Sequence, residues 1–131
     1  MTTFIILFVL ACLVAVALIY TRRSQPSIAN ELPTDGDVVR VHYIGWYKGT
    51  EFDSSRAKNQ PFTFTIGDNK VIKGWDQVVR TMKKGERAIH HIPSHLAYGT
   101  TGMPRVIPPN ADLDFEIEIL DIIKPEGRAH A

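Results

Sequence analysis

The chain has 131 residues, room for one domain and an appendage. Its 15 basic residues against 14 acidic ones leave no cationic surplus for holding a nucleic acid. The single cysteine, Cys12, excludes a disulfide framework and a thiolate metal site alike.

An uncharged stretch of 20 residues, Thr2 to Thr21, comes first. As a helix it spans about 30 Å, the thickness of a bilayer's hydrocarbon core. Phe4–Tyr20 therefore reads as a single-pass transmembrane anchor. A cleaved signal peptide is the rival, but such peptides carry a basic start and a small-x-small end. Here Met1-Thr2-Thr3 offers only the α-amino charge, and the run ends in Leu18-Ile19-Tyr20. Arg22 and Arg23 follow, and the positive-inside rule leaves the domain behind them facing the cytoplasm, with the secretory pathway or periplasm as the alternative. The organisation expected is an anchor over residues 1–21, a linker over 22–34 stiffened by Pro26 and Pro33, a globular domain over 35–124 and a tail over 125–131.

Within the domain, Val39, Val41 and Tyr43 alternate with Arg40 and His42, the period-two pattern of a half-buried strand. Phe62, Phe64 and Ile66 do the same with Thr63 and Thr65. Trp75, Val78, Val79 and Met82 instead fall at i, i+3, i+4 and i+7, a helical stripe, with Lys83 and Lys84 in the expected last turn and Gly85 as the expected C-cap. Glu86 to Ile92 returns to extended chain. Leu113, Phe115, Ile117 and Ile119 then alternate with Asp114, Glu116 and Glu118, which predicts a strand in the middle of a sheet with one wet face. One short helix among antiparallel strands makes an α+β domain with the helix on the sheet's apolar face.

Chemistry-bearing motifs are sparse. No phosphate loop, dinucleotide fingerprint, HExxH or nucleophile elbow occurs. His90, His91 and His95 are close in sequence, but adjacent residues face opposite sides of a strand and do not converge on a metal, so neither metal nor cofactor is expected. His90 falls where alternation asks for an apolar residue and reads as a core histidine. What remains is aromatic and branched residues beside turns: Phe52-Asp53-Ser54-Ser55, Val71-Ile72-Lys73-Gly74-Trp75, Ala97-Tyr98-Gly99 and Val106-Ile107-Pro108-Pro109. Singly, each aromatic reads as ordinary core and Asp53 as a turn residue.

Together, VRVHYIG, FDSSR, PFTFTIG, VIKGWDQ, GERA, AYG and VIPPNADLDFEIEIL resemble, in order, the FKBP-type peptidyl-prolyl cis-trans isomerases, the tacrolimus-binding immunophilins. The resemblance covers about residues 35–124 and implies an antiparallel half-barrel sheet wrapped around one short helix. It implies a rotamase that assists protein folding, binding the proline of an Xaa-Pro polypeptide in an apolar pocket. By matching motif, Trp75 is the floor and Tyr43, Phe52, Phe62, Val71, Val106, Ile107 and Phe115 are the walls. Tyr98, Asp53 and the Ile72 amide would serve the reaction at the rim. Macrolides like tacrolimus are implied ligands, and a monomer is expected. A membrane-tethered module that binds proline segments or a partner with little turnover is the competing reading. The chain departs from the family pattern at Lys58, where many members carry arginine near the Asp53 carboxylate. It departs also at Met103 and Arg105 in a bulkier, more cationic loop, and at Trp46 and Tyr47 in a shortened turn.

Overall fold

A computed structural model of the protein describes residues 31–125. The anchor expected over residues 4–20, most of the linker and residues 126–131 lie outside the described residues. Among the described residues no helix is long and apolar enough to cross a membrane.

The alternating segments form the strands. In chain order these are β1 (Val38–Tyr47), β2 (Thr50–Ser54), β3 (Phe62–Thr65), the helix α1 (Lys73–Val79), β4 (Arg87–Ile92), a 3-10 turn over Ser94–Leu96 and β5 (Leu113–Ile123). All pairings are antiparallel, in the order β2-β1-β5-β4, and β3 shares with β2 the other edge of β1. The expected mid-sheet strand, β5, indeed lies between β1 and β4. Leu113, Phe115, Ile117 and Ile119 are buried, and the polar residues between them face outward. Arg40 pairs with Asp121 and Val41 with Ile119, so Leu120 is an extra residue on β5. That bulge shifts the phase, which is why Ile122 rather than Asp121 turns back to the core.

The wet face of β5 is laced to its neighbours by charge. Arg87 pairs with Glu116 at 2.7 Å, Arg56 with Glu118 at 3.2 Å, and Arg40 with Asp121 at 2.7 Å. On the dry face, Val39, Val41, Phe64, Ile66, Val79 and Met82 pack with the apolar residues of β5 into one core. Helix α1 comes close to β4 at Gly74, where a Cβ would sit 2.4 Å from Cγ2 of Ile92.

The helix is shorter than its apolar stripe suggests. It ends at Val79 with Arg80 as C-cap, and no basic residue lies in its last turn. Thr81 and Met82 donate to the carbonyls of Val78 and Val79, three residues back. Tighter turns thus keep Met82 on the buried face after the α-helix has stopped. Gly85, at φ 85°, belongs to the following turn, where its N–H donates to Ile119 rather than capping α1.

Candidate functional site

A cleft of about 360 Å³ opens between the dry face of the sheet and the N-terminus of α1. Trp75 forms its base, 5% exposed, because the first turn of α1 carries it in over the sheet. The indole is fenced by rings: Tyr43 at 4.9 Å, Phe115 at 5.3 Å, and Phe62 and Phe64 each at 5.9 Å between centroids. Most of these contacts are edge-to-face, the arrangement favoured by the aromatic quadrupole. The indole N–H is buried and has no hydrogen-bond partner among the described residues.

Two features of the backbone allow so many rings in so small a space. Gly45 has no Cβ; one built there would lie 2.6 Å from Cζ of Phe52 and 2.8 Å from Phe115. Its absence lets those two rings meet at 5.7 Å, nearly perpendicular. Opposite it, Gly45 pairs with Asp53 and Trp46 with Glu51, leaving Phe52 as an extra residue in β2. Consecutive residues on a regular strand point to opposite faces. The bulge relaxes that rule, so Phe52 and Asp53 both line the cleft.

Asp53 is held at three points. The Tyr43 hydroxyl donates to Oδ2 at 2.6 Å, Lys58 Nζ pairs with Oδ1 at 2.6 Å, and the Ser54 N–H donates to Oδ1 at 2.9 Å. Burial pushes the Asp53 carboxyl up, but the hydrogen bonds from Lys58 and Tyr43 outweigh it and leave the group below its usual value. Lys58 therefore supplies the counter-charge in spite of lacking a bidentate guanidinium. Tyr43 is pushed up by burial and further by its bond to Asp53. Tyr98 is pushed up by burial and then by the Asp53 charge, so it stays a neutral O–H donor at any physiological pH. Unlike the Tyr43 hydroxyl, that of Tyr98 has no partner among the described residues. Its loop is pinned by Gly99 N to Ser94 O at 2.8 Å and Gly102 N to Tyr98 O at 3.0 Å.

The far wall is the loop from β3 into α1. Asp76 in the first turn of the helix accepts from Gly67 N at 2.9 Å and from Arg80, which tethers that loop to α1. Val71 and Ile72 lie at its end, and Ile72 is the N-cap. Its carbonyl accepts from Trp75 N at 3.0 Å, while its own N–H donates to no backbone carbonyl among the described residues.

Of the residues that sequence put around the pocket, Tyr43, Phe52, Asp53, Phe62, Val71, Ile72, Trp75, Tyr98 and Phe115 all line this cleft. Val106 and Ile107 do not. Met103 and Ile107 bond to each other through both N–H groups at 2.8 Å, closing a tight loop. That pairing turns Ile107 into the core, 3% exposed, and its neighbour Val106 outward, 46% exposed. Trp46 and Tyr47 are half-buried along the β1–β2 hairpin, and Tyr47 packs on the core. Sequence reading missed Asn69 and Lys70, which also line the cleft. The signal was their position: a polar turn directly before Val71-Ile72, with Asn69 in a left-handed conformation at φ 56°. A second cleft, of about 370 Å³, adjoins the first across Tyr43 and Phe62.

Known proteins agree with this architecture. Residues 29–120 match the family described as FKBP-type peptidyl-prolyl cis-trans isomerase. The chain is 52% identical over 89 residues to peptidyl-prolyl cis-trans isomerase FPR2 of Saccharomyces cerevisiae, covering 66% of each protein. It is 46% identical over 98 residues to peptidyl-prolyl cis-trans isomerase Fkbp12 of Drosophila melanogaster, covering 74% of this chain and 91% of that one. Among solved structures, FkpA from Escherichia coli superposes with a TM-score of 0.66 at 41% identity, over 71% of this chain and 43% of FkpA. A ring-lined cleft over an indole, on a sheet and helix shared with these proteins, goes with one conclusion: the chain belongs to the FKBP-type peptidyl-prolyl cis-trans isomerases.

Proposed function

We propose that this isomerase takes the proline ring of an Xaa-Pro segment into the cleft over Trp75 and lets the prolyl amide rotate there without covalent chemistry. The Xaa-Pro bond is a tertiary amide, so cis and trans differ by only about 0.5–1 kcal/mol, yet about 18–20 kcal/mol of amide resonance separates them. The planar ground state is more dipolar than the twisted transition state, so an apolar site disfavours the ground state relative to the twisted form. Trp75, Tyr43, Phe62 and Phe115 supply that apolar surface. The unspent donors at the rim, the Tyr98 hydroxyl and the Ile72 N–H, suit the substrate carbonyls on either side of the turning bond. Asp53, already bonded to Tyr43 and Lys58, orients that rim and is not free to act as a base. A rate gain of about 10⁴ asks for on the order of 5–6 kcal/mol of differential binding.

The observation that carries this reading is the ring cage around an open cleft with two uncommitted donors at its edge. Exchange spectroscopy on a short Xaa-Pro peptide tests it. Trp75→Leu should abolish most of the acceleration. Tyr98→Phe should lower it about 5- to 10-fold, the worth of one hydrogen bond at about 1 kcal/mol. Binding of the peptide with unaccelerated exchange would favour the binding-module reading instead. Three similar proteins, from Yarrowia lipolytica, Candida glabrata and Debaryomyces hansenii, are named for binding FK506, and the same cleft is the place where this chain would take such a macrolide.

Sequence alone supports the rest of the proposal: residues 4–20 anchor the domain in a membrane, as a monomer, facing the cytoplasm. Carbonate extraction of vesicles together with protease protection of the domain tests anchor and side at once. Release of the protein into the carbonate supernatant would remove the anchor from the proposal.

A further inference from the structure

We propose that Lys70 makes this cleft selective for proline flanked by an acidic residue. The inference rests on the cleft being the Xaa-Pro site.

Two lysines stand at the cleft and its rim, and they are not equivalent. Lys58 is spent: its Nζ lies 2.6 Å from Asp53, whose second oxygen is held by Tyr43. The one carboxylate lining the cleft is thereby neutralised from inside the protein. Lys70 lines the same cleft, is exposed, and has no carboxylate partner among the described residues. The lining therefore carries one uncompensated positive charge beside the ring-lined wall. Lys70 is also anchored at its base. Asn69 before it adopts a left-handed conformation at φ 56°, Gly67 is bound by Asp76, and Ile72, two residues on, is the N-cap of α1. The backbone of Lys70 thus stands two residues before the Ile72 N–H on the same cleft, where a residue adjoining the bound proline would pass. An ammonium on a fixed base beside a low-dielectric wall attracts a carboxylate on that neighbouring residue and repels a second cation. Room exists for it, since about 360 Å³ exceeds what a proline ring alone fills.

The test uses the full chain in neutral detergent and end-blocked tetrapeptides in which the residue before or after proline is Glu, Gln, Leu or Lys. The readout is the ratio of kcat/KM for Glu over Gln, on whichever side it is larger. The wild-type ratio should be about two- to fivefold at low ionic strength, carried mainly by KM. It should collapse toward one at about 1 M salt, where the Debye length is about 3 Å. Lys70→Gln should bring the ratio to one and Lys70→Glu below one. A wild-type ratio of one or less with the Leu-Pro peptide still accelerated would overturn the inference and leave the isomerase reading standing, as would a ratio unchanged in Lys70→Gln. Failure to accelerate the Leu-Pro peptide would overturn the reading of the cleft, and the inference with it.

Discussion

The two faces of the sheet are written in the same period-two code and hold together by different physics. On the wet face, Glu116, Glu118 and Asp121 alternate along β5 and meet Arg87, Arg56 and Arg40 from neighbouring segments. Each of those pairs is at least partly in water and contributes little singly. On the dry face, Phe115, Ile117 and Ile119 are removed from water, and each contributes several times more. The dry face is also the functional one, because it is not finished. Tyr43, Phe52 and Phe62 extend beyond what α1 can cover, and Phe62 remains 39% exposed. The cleft is the stretch of apolar face for which the chain has too little helix.

The comparison breaks first at Phe115, which belongs to core and cleft together. Phe115→Ala should cost about 3–5 kcal/mol in urea melts, as for other buried aromatic truncations, and should open the cleft onto the core. A loss under about 1 kcal/mol would mean that the dry face can collapse around the hole. Gly74→Ala comes next. Its new methyl would meet buried Ile92 at 2.4 Å, an overlap worth about 1–3 kcal/mol, against at most about 1 kcal/mol gained in helix propensity. Net destabilisation is the expected result, and a more stable variant would show that α1 can lift from β4.

How much of this was legible in the sequence follows from which forces are local. Strands β1, β3 and β5 were readable because burial on one face imposes alternation, and each of them has a wet and a dry side. Trp75 and its stripe announced a helix, but not its end. Met82 stays on the buried face through bonds to the third residue back, and periodicity cannot distinguish these from α-helical ones. The cleft's aromatic members followed from motif order, whereas their convergence did not. Phe52 and Asp53 share a side only because of a bulge opposite Gly45, a property of pairing rather than of either strand alone. Val106 and Ile107 were misplaced for the same reason: the Met103–Ile107 pairing decides which of two adjacent residues turns inward. Asn69 and Lys70 look like turn residues, which they are, and only the tertiary fold shows which cleft the turn borders.

A smaller effect sharpens the contrast from the wet side. Arg40→Gln removes one partner of Asp121, leaving Lys84 at 3.3 Å to hold the carboxylate. Stability should fall by about 0.2–1 kcal/mol at low salt and by less at high salt. A loss as large as that of Gly74→Ala would contradict the idea that this face is held by many weak, screened pairs.

The smallest effect lies where the two faces meet in β4. His91 turns to the wet side and reaches Asp114 at 2.8 Å, while His90 turns to the dry side, half-buried, with Nε2 3.3 Å from the Met82 sulfur. Burial lowers the His90 pKa below the ordinary imidazole value, and the Glu86 charge only partly offsets this. The unfolded chain then takes up the His90 proton more readily than the folded one. Stability from neutral His90 is complete above the unfolded value and is lost as pH falls through it toward the folded pKa. His90→Leu supplies the apolar residue that the alternation asks for and has nothing to protonate. Urea midpoints at about pH 7.5 and about pH 5.5 should therefore draw apart less in the variant than in the wild type. Equal pH shifts in the two proteins would mean that His90 is solvated when it charges, although Ala88 and Ile92 on either side of it pack on the core.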